Sequence, residues 1–479
     1  MTVRLHPAPL PYQDRFGLSD EDLRKVLQTA LARGGDFADL YLEYRGYSSI
    51  NMEEDIIKET AESVVMGLGI RVIKGDQTGY GFSNDLALDK LRQAAQAASA
   101  IALSGPAARV RLPREKPIGR CFYSNEEPAF SAPLAKKIDL VRDAYGAAQK
   151  FDPAVAKVKA SLQDMVQYVR IMNSEGLSVR DARPLVRLTC LAIAEKAGQR
   201  EAGYSGGGGR VGLEYFDREY SAADIGRDAA REALSLLEAV PAPPGEMPII
   251  LSPGHSGVLV HEAVGHLLEA DFNRKKTSIF WNKMGRRVAS ELVTIYDDPT
   301  IPLFRGSYNV DDEGTLPRKT CLIRQGVMVG LLQDKLSARL MKRRPTGHGR
   351  RQDFSCWPIP RMSTIYISAG RHDPAEIVRS VKKGFYADRF QGGQVEDSGQ
   401  FTFSVSSGFL IEGGRLTTPV KQATLIGTSI DILKKITMVG SDLRFGLQTG
   451  TCSKEGQDVP VSDGCPTIKI ARMTVGGSR

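Results

Sequence analysis

At Val240-Pro-Ala-Pro-Pro-Gly-Glu the chain meets a joint that no helix crosses, because each proline lacks a backbone N–H and its ring collides with the preceding turn. The joint divides 479 residues into two stretches of different patterning. A chain of that length exceeds one hydrophobic core, and a prior of about 150 residues per domain gives two or three domains. The joint favours two, residues 1–240 and 241–479.

Before the joint, residues 20–31, 86–103 and 134–150 space their apolar side chains as amphipathic helices do. The run Asp39-Leu-Tyr-Leu-Glu-Tyr alternates like a half-buried strand, and Gly75-Asp76 reads as a hairpin turn. Glycines 67, 69, 75, 79 and 81 mark bends or bulges in a meandering sheet. The four glycines 206–209 lack a following phosphate-loop Lys-Ser or Lys-Thr and read as a flexible or tight loop. After the joint come an apolar strand, Met247-Pro-Ile-Ile-Leu, then a helix with clustered histidines and many short β patterns. The fold class expected is α+β: an N-terminal domain of helices and antiparallel sheet, then a largely β domain carrying the histidine helix.

No apolar run approaches the roughly 20 residues that span a bilayer, and the first residues lack the apolar core of a signal peptide, so a cytoplasmic, non-membrane protein is expected. In that reducing setting the six dispersed cysteines are free thiols or metal ligands. The net charge of +8 is modest for this length. Basic clusters at 274–287 and 342–351 carry neither helix-turn-helix nor stacking-aromatic patterns, so they read as solvated loops and no nucleic-acid partner is expected.

Six histidines occur in the chain, and three, His255, His261 and His266, fall within twelve residues. Neutral imidazole is the commonest metal ligand, and a glutamate beside the first ligand is the zinc-peptidase arrangement in which it serves as general base. Here the histidines of His261-Glu262-Ala-Val-Gly-His266 stand five apart. On a regular α-helix that step lands roughly 140° away, so a π-type turn or a break is required, and Gly265 removes a Cβ that would resist it. A catalytic site needs a third protein ligand and an open position. His255, Glu269, Asp271 and Cys452 are the candidates by type.

The segment HEAVGHLLEADF resembles the metal-site segment of the TldD branch of the TldD/PmbA family. DFADLYLEY, GIRVIKGDQTGYGFSNDL, RGSYNVDDEGT, LLQDKLSARLM, PTGHGRR, PVKQATLIG and GTCSKEGQDVPV are similar to that family in the expected order, from about residue 20 onward. The resemblance implies a zinc metallopeptidase acting on peptides or partly unfolded polypeptides. It implies one Zn2+ per chain, held by His261, His266 and Cys452, with Glu262 as base toward a metal-activated water. It also implies a two-domain protomer paired with an identical chain or with a TldE/PmbA-like subunit. Cys465 departs from the family pattern and reads as a small buried residue on a strand, and His255 after Pro253-Gly254 reads as a turn residue.

Two other readings compete. One is a non-catalytic regulator or binding partner using the same dimer, in line with the family's older label of DNA gyrase modulator, against which the intact His261, Glu262, His266 and Cys452 argue. The other is a metal-dependent hydrolase of another class, such as an amidohydrolase, whose water-activating chemistry is the same. A mainly β second half further suggests a strand edge to which a substrate is held by main-chain hydrogen bonds.

Overall fold

In the computed structural model, which describes residues 11–102, 105–124 and 127–476, helix α1 (Asp20–Ala30) begins with a capping box in which Ser19 and Asp22 each accept from the other's backbone N–H. Its spacing buries Leu23, Val26, Leu27 and Ala30 on one face. Strands β1 (Phe37–Glu53), β2 (Ile56–Lys74) and β3 (Gln77–Ser83) follow, then helices α2 (Leu88–Ser99) and α3 (Leu134–Gln149). Strands β4 (Val155–Asn173), β5 (Leu177–Lys196) and β6 (Gln199–Gly209) lead to helix α4 (Ala222–Leu237). The strands lie in the order β3-β2-β1-β4-β5-β6 with antiparallel neighbours, and Arg114–Glu115 runs parallel beside β5.

Several sequence expectations change here. Strand β1 is not half-buried: residues 37–43 are buried throughout. Leu40 and Leu42 pack with the core of α1 and α2, while Tyr41 packs with Val310 and Phe354 from beyond the joint. Of the five glycines expected to bend the chain, Gly75 sits in the hairpin turn at φ +62°, β2 and β3 stay in unbroken register across Gly69, Gly79 and Gly81, and Gly67 pairs with Glu43 of β1 without a shift. Gly79 and Gly81 are instead places of close approach, where a Cβ would lie 2.1 and 2.2 Å from the carbonyl oxygens of Ala98 and Ala94 in α2. At Gly67 a Cβ would lie 2.3 Å from the Phe354 ring. Glycines 206–209 form no loop but end strand β6, where a Cβ on Gly208 would lie 2.1 Å from the Val186 carbonyl.

Beyond the joint, β7 (Gly245–Leu251) enters the second half. Strands β8 (Ile295–Asp297), β9 (Thr320–Arg324) and β10 (Thr364–Ile367) precede three long strands, β11 (Lys383–Val395), β12 (Gln400–Glu412) and β13 (Arg415–Thr428). The last elements are β14 (Arg444–Phe445), β15 (Thr451–Lys454), β16 (Gln457–Pro460), β17 (Ser462–Cys465) and β18 (Ile468–Gly476). Strand β7 pairs with β11, β11 with β12, β12 with β13, β13 with β18, and β18 with β7. That ring of pairings closes a small barrel, which removes the strand edges an open sheet would leave. A second sheet holds β9-β8-β10-β17-β14 in that order.

The barrel's Phe385, Phe401, Phe403 and Leu425 share one buried cluster with Leu259, Val260, Ala263, Val264, Leu267 and Leu268 of the histidine segment. Each of the valine and leucine side chains contributes about 1.5–3 kcal/mol when fully buried, so the segment is anchored by its apolar face. The two halves are joined by buried polar contacts: Arg183 Nη1 lies 2.6 Å from Asp312, Arg71 Nη2 lies 2.7 Å from Glu313, and the Phe354 N–H donates to Glu43 at 2.8 Å. The whole is an α+β fold, and among the described residues no helix is long and apolar enough to cross a membrane.

Candidate metal centre

From β7 the chain turns and enters a helical segment that changes pitch twice, α-helical over Gly257–Val260, π-helical over His261–Gly265 and 3-10 over His266–Leu268. The His266 N–H bonds the His261 carbonyl, five residues back. This widened turn answers the spacing problem, since it brings residues five apart onto one side. The two imidazoles meet edge to face with centroids 5.2 Å apart.

Gly265 has an ordinary helical φ of -58°, so what matters there is the missing Cβ. A Cβ there would lie 1.9 Å from Met362 Sδ, and the glycine lets the π turn press against the segment before β10. Gly265→Ala is therefore expected to cost about 1–3 kcal/mol by overpacking. Urea unfolding checks this, and a change below the roughly 0.5 kcal/mol of a neutral surface substitution would remove the packing argument.

The third donor arrives on the β15–β16 hairpin, where Cys452 pairs opposite Val459. Fully buried Arg361 fixes that hairpin by donating to the carbonyls of Cys452 at 2.5 Å and Gln457 at 2.9 Å. Cys452 Sγ stands 3.4 Å from His266 Nε2, and donor atoms of His261, His266 and Cys452 all lie within 4.8 Å of one another. Donors held tetrahedrally about 2.0–2.3 Å from one ion stand roughly 3.5 Å apart, so the set has the right size. His261 Nδ1 is buried without a hydrogen-bond partner among the described residues. A metal ion would satisfy such a lone pair. Glu262 Oε2 lies 3.8 Å from His266 Nε2, on a side chain one-quarter exposed.

The electrostatics couple the three donors: the thiol is pushed down, while Cys452, with Glu269 beside His266, pushes both imidazoles up against the burial that would lower them. Burial alone would raise the Cys452 thiol, but the imidazoles of His261 and His266 outweigh it and hold the thiol well below its ordinary value. Behind the three candidate donors, His266 Nδ1 lies 3.2 Å from Glu269, and Lys454 Nζ lies 2.9 Å from Glu269 and 2.8 Å from Asp271. Burial would raise the Glu269 carboxyl, yet Lys454 and His266 bring it to about 2. A carboxylate bonded to Nδ1 fixes the ring so that Nε2 faces the thiol. Lys454→Met strands two buried carboxylates, which costs roughly 3–5 kcal/mol and loosens His266. A thermal melt no lower than wild type would contradict that role.

All four residues implied by the resemblance thus come together: His261, Glu262, His266 and Cys452. The other candidates do not enter the donor set. Glu269 braces His266 from behind, Asp271 pairs with Lys454, and His255 lies in the turn before the helix, where burial and then Arg389 depress its ring to about 4. Cys465 is fully buried in β17, its thiol pushed well above the ordinary value by burial and then by Asp463. Lys454, Arg361 and Met362 escaped the sequence reading. Lys454 stands two residues after Cys452, on the same face of a strand, which was the available signal.

A cavity of about 310 Å³, lined by His255 and Val258, by residues 446–450 and by Asp463, lies at the start of the helical segment, and none of His261, Glu262, His266 and Cys452 lines it. Models of three successive domains of one family match this chain: PmbA/TldA metallopeptidase domain 1 at residues 38–102, the central domain at 127–237 and the C-terminal domain at 244–477. The chain belongs to the PmbA/TldD metallopeptidase family. Within it the likeness is to the TldD branch, since the metalloprotease TldD homolog of Haemophilus influenzae is 42% identical over 472 residues, covering 96% of this chain and 97% of its own. Among solved structures, a candidate modulator of a DNA gyrase from Thermotoga maritima superposes with a TM-score of 0.77 at 22% identity, over 95% of this chain and all of that one. TldE from Thermococcus kodakarensis gives 0.74 at 20% identity, over 95% of this chain and 100% of that one. At those identities the two structures speak for the fold.

Proposed function

We propose that this TldD-branch chain is a zinc-dependent peptidase that hydrolyses peptide bonds in peptides or partly unfolded polypeptides. The observation that carries the reading is the convergence of His261, His266 and Cys452 within 4.8 Å, with the Glu262 carboxylate at its edge. Two imidazoles and a thiolate form a donor set that suits zinc. When bound, the ion supplies Lewis acidity, polarising a peptide carbonyl and making water more acidic.

The remaining work falls to the chain. Glu262 accepts the proton of the attacking water and returns it to the departing amine. Glu269 keeps His266 turned toward the thiol, and the π turn keeps both imidazoles on one side. The cavity beside Val258, three residues before His261 in the chain, gives an extended substrate room. Purified protein is expected to carry about one zinc per chain. Elemental analysis finding no metal after gentle purification, and no uptake on adding zinc, would defeat the assignment.

We also read the protomer as two domains, residues 1–240 and 241–479, working in the cytoplasm as a pair with an identical or TldE-like chain. The sharing of this fold by a TldE supports the pairing, and light scattering of the purified chain with and without a TldE-like partner tests it.

A further inference from the structure

On another side, the hairpin that carries Cys452 walls a cavity of about 420 Å³ through Thr451, Val459 and Pro460, facing β1, β4 and β5 of the first half. Seven arginines line it, among them Arg350 and Arg351, which are buried here and not in the solvated loop expected from sequence. Three are matched by carboxylates: Arg45 with Glu43 and Asp353, Arg183 with Asp181 and Asp312, and Arg351 with Asp39.

The other four, Arg187, Arg210, Arg305 and Arg350, form no ion pair among the described residues. Their hydrogen bonds go to neutral oxygens. Arg187 donates to Gln163 and the Thr449 carbonyl, Arg210 to the carbonyls of Ser307 and Pro184, Arg305 to the Gly450 carbonyl and Thr451 Oγ1, and Arg350 to the carbonyls of Met362 and Pro460. Nor do the carboxylates in the wall offset them. Asp164 is held by Lys137 at 2.9 Å and Asp312 by Arg183, while the buried Asp311 carboxyl, raised by burial and then by Glu313, is taken up by the N–H groups of Glu313, Thr315 and Gly349. Asp458 is an exposed carboxylate, so water screens its charge from the buried guanidiniums.

Arg210, Arg305 and Arg350 are only 3%, 7% and 5% exposed. Burying a charge without a counter-charge is strongly unfavourable, and the strain registers on the groups themselves. Burial, then Arg187 and Arg210, depress Arg305 to about 9, and burial with Arg183 and Arg350 depresses Arg210 to about 10. An arriving anion relieves both the repulsion and the missing partner. Guanidinium forks match a carboxylate bidentately, and Thr451 in this wall adjoins Cys452 in the chain.

We propose that this arginine cavity binds a carboxylate of the peptide substrate, holding the chain while a bond nearby is presented to the metal centre. The proposal rests on the peptidase reading and deepens it. The carboxylate has two sources, the C-terminus and an internal Asp or Glu side chain.

Three versions of one uncharged octapeptide separate them: the free acid, its C-terminal amide, and the amide with one internal glutamate. Titration calorimetry on the protein as purified, and again after chelation, reads binding apart from cleavage, so failure of hydrolysis leaves the binding result intact. At least one carboxylate-bearing peptide is expected to bind about tenfold or more tighter than the plain amide, and whichever does names the source. In Arg305→Gln and Arg187→Gln that advantage is expected to vanish with zinc content unchanged. Arg187 is only half-buried, so its variant serves if the other fails to fold. Equal binding of all three peptides, or an advantage that survives in a folded variant, overturns the proposal.

Discussion

In Glu262→Gln protein, cleavage of an unstructured polypeptide falls by roughly 10²- to 10⁴-fold, the span a positioned general base contributes, while zinc content stays at the wild-type level. The amide keeps the shape of the side chain but cannot accept a proton. Its surroundings predict little else, because the group is one-quarter exposed and stands at the rim of the donor set. Chelated wild-type protein gives the floor for the assay. A variant cleaving at near wild-type rate would take Glu262 out of the mechanism, and one that loses its metal would make it a ligand.

Cys452→Ser is expected to weaken zinc binding by more than the roughly 10- to 100-fold that loss of an outer-shell partner costs, because a thiolate leaves the centre. Cys465→Ser should leave affinity unchanged, since that thiol lies in the core of β17, and His255→Ala should matter less than His261→Ala or His266→Ala. Competition with a chromogenic chelator measures all five. Zinc lost from Cys465→Ser but kept by Cys452→Ser would reverse the assignment of the third ligand.

Local chemistry in this chain was readable where one residue type implied one geometry. Five-residue spacing between His261 and His266 demanded a non-α turn, and a π turn is present. The Gly75-Asp76 turn and the helices at 20–31, 86–103 and 134–150 followed from turn chemistry and period, and form as Asp20–Ala30, Leu88–Ser99 and Leu134–Gln149. What stayed hidden depended on contacts between distant segments. Glycines 67, 79 and 81 looked like bends and 206–209 like a loop, yet they are gaps into which Phe354, helix α2, a neighbouring strand, the rings of Tyr215 and Tyr220 or the Leu303 carbonyl fits. Arg350 and Arg351 looked solvated because nothing local to them reveals that a sheet from the first half covers them. For the same reason Cys452 could be singled out only by resemblance, as its partner His266 is 186 positions away.

The ring of strands imposes an order on the protein's birth. Strand β18 closes the barrel by bonding β7, so the surface that anchors the histidine segment is incomplete until residue 476 has been synthesised. Pairings of such sequence separation form late and slowly. Throughout translation of residues 267–451 the two imidazoles exist without their thiol. A growing chain therefore cannot bring the three donor atoms together until residue 452 has been synthesised.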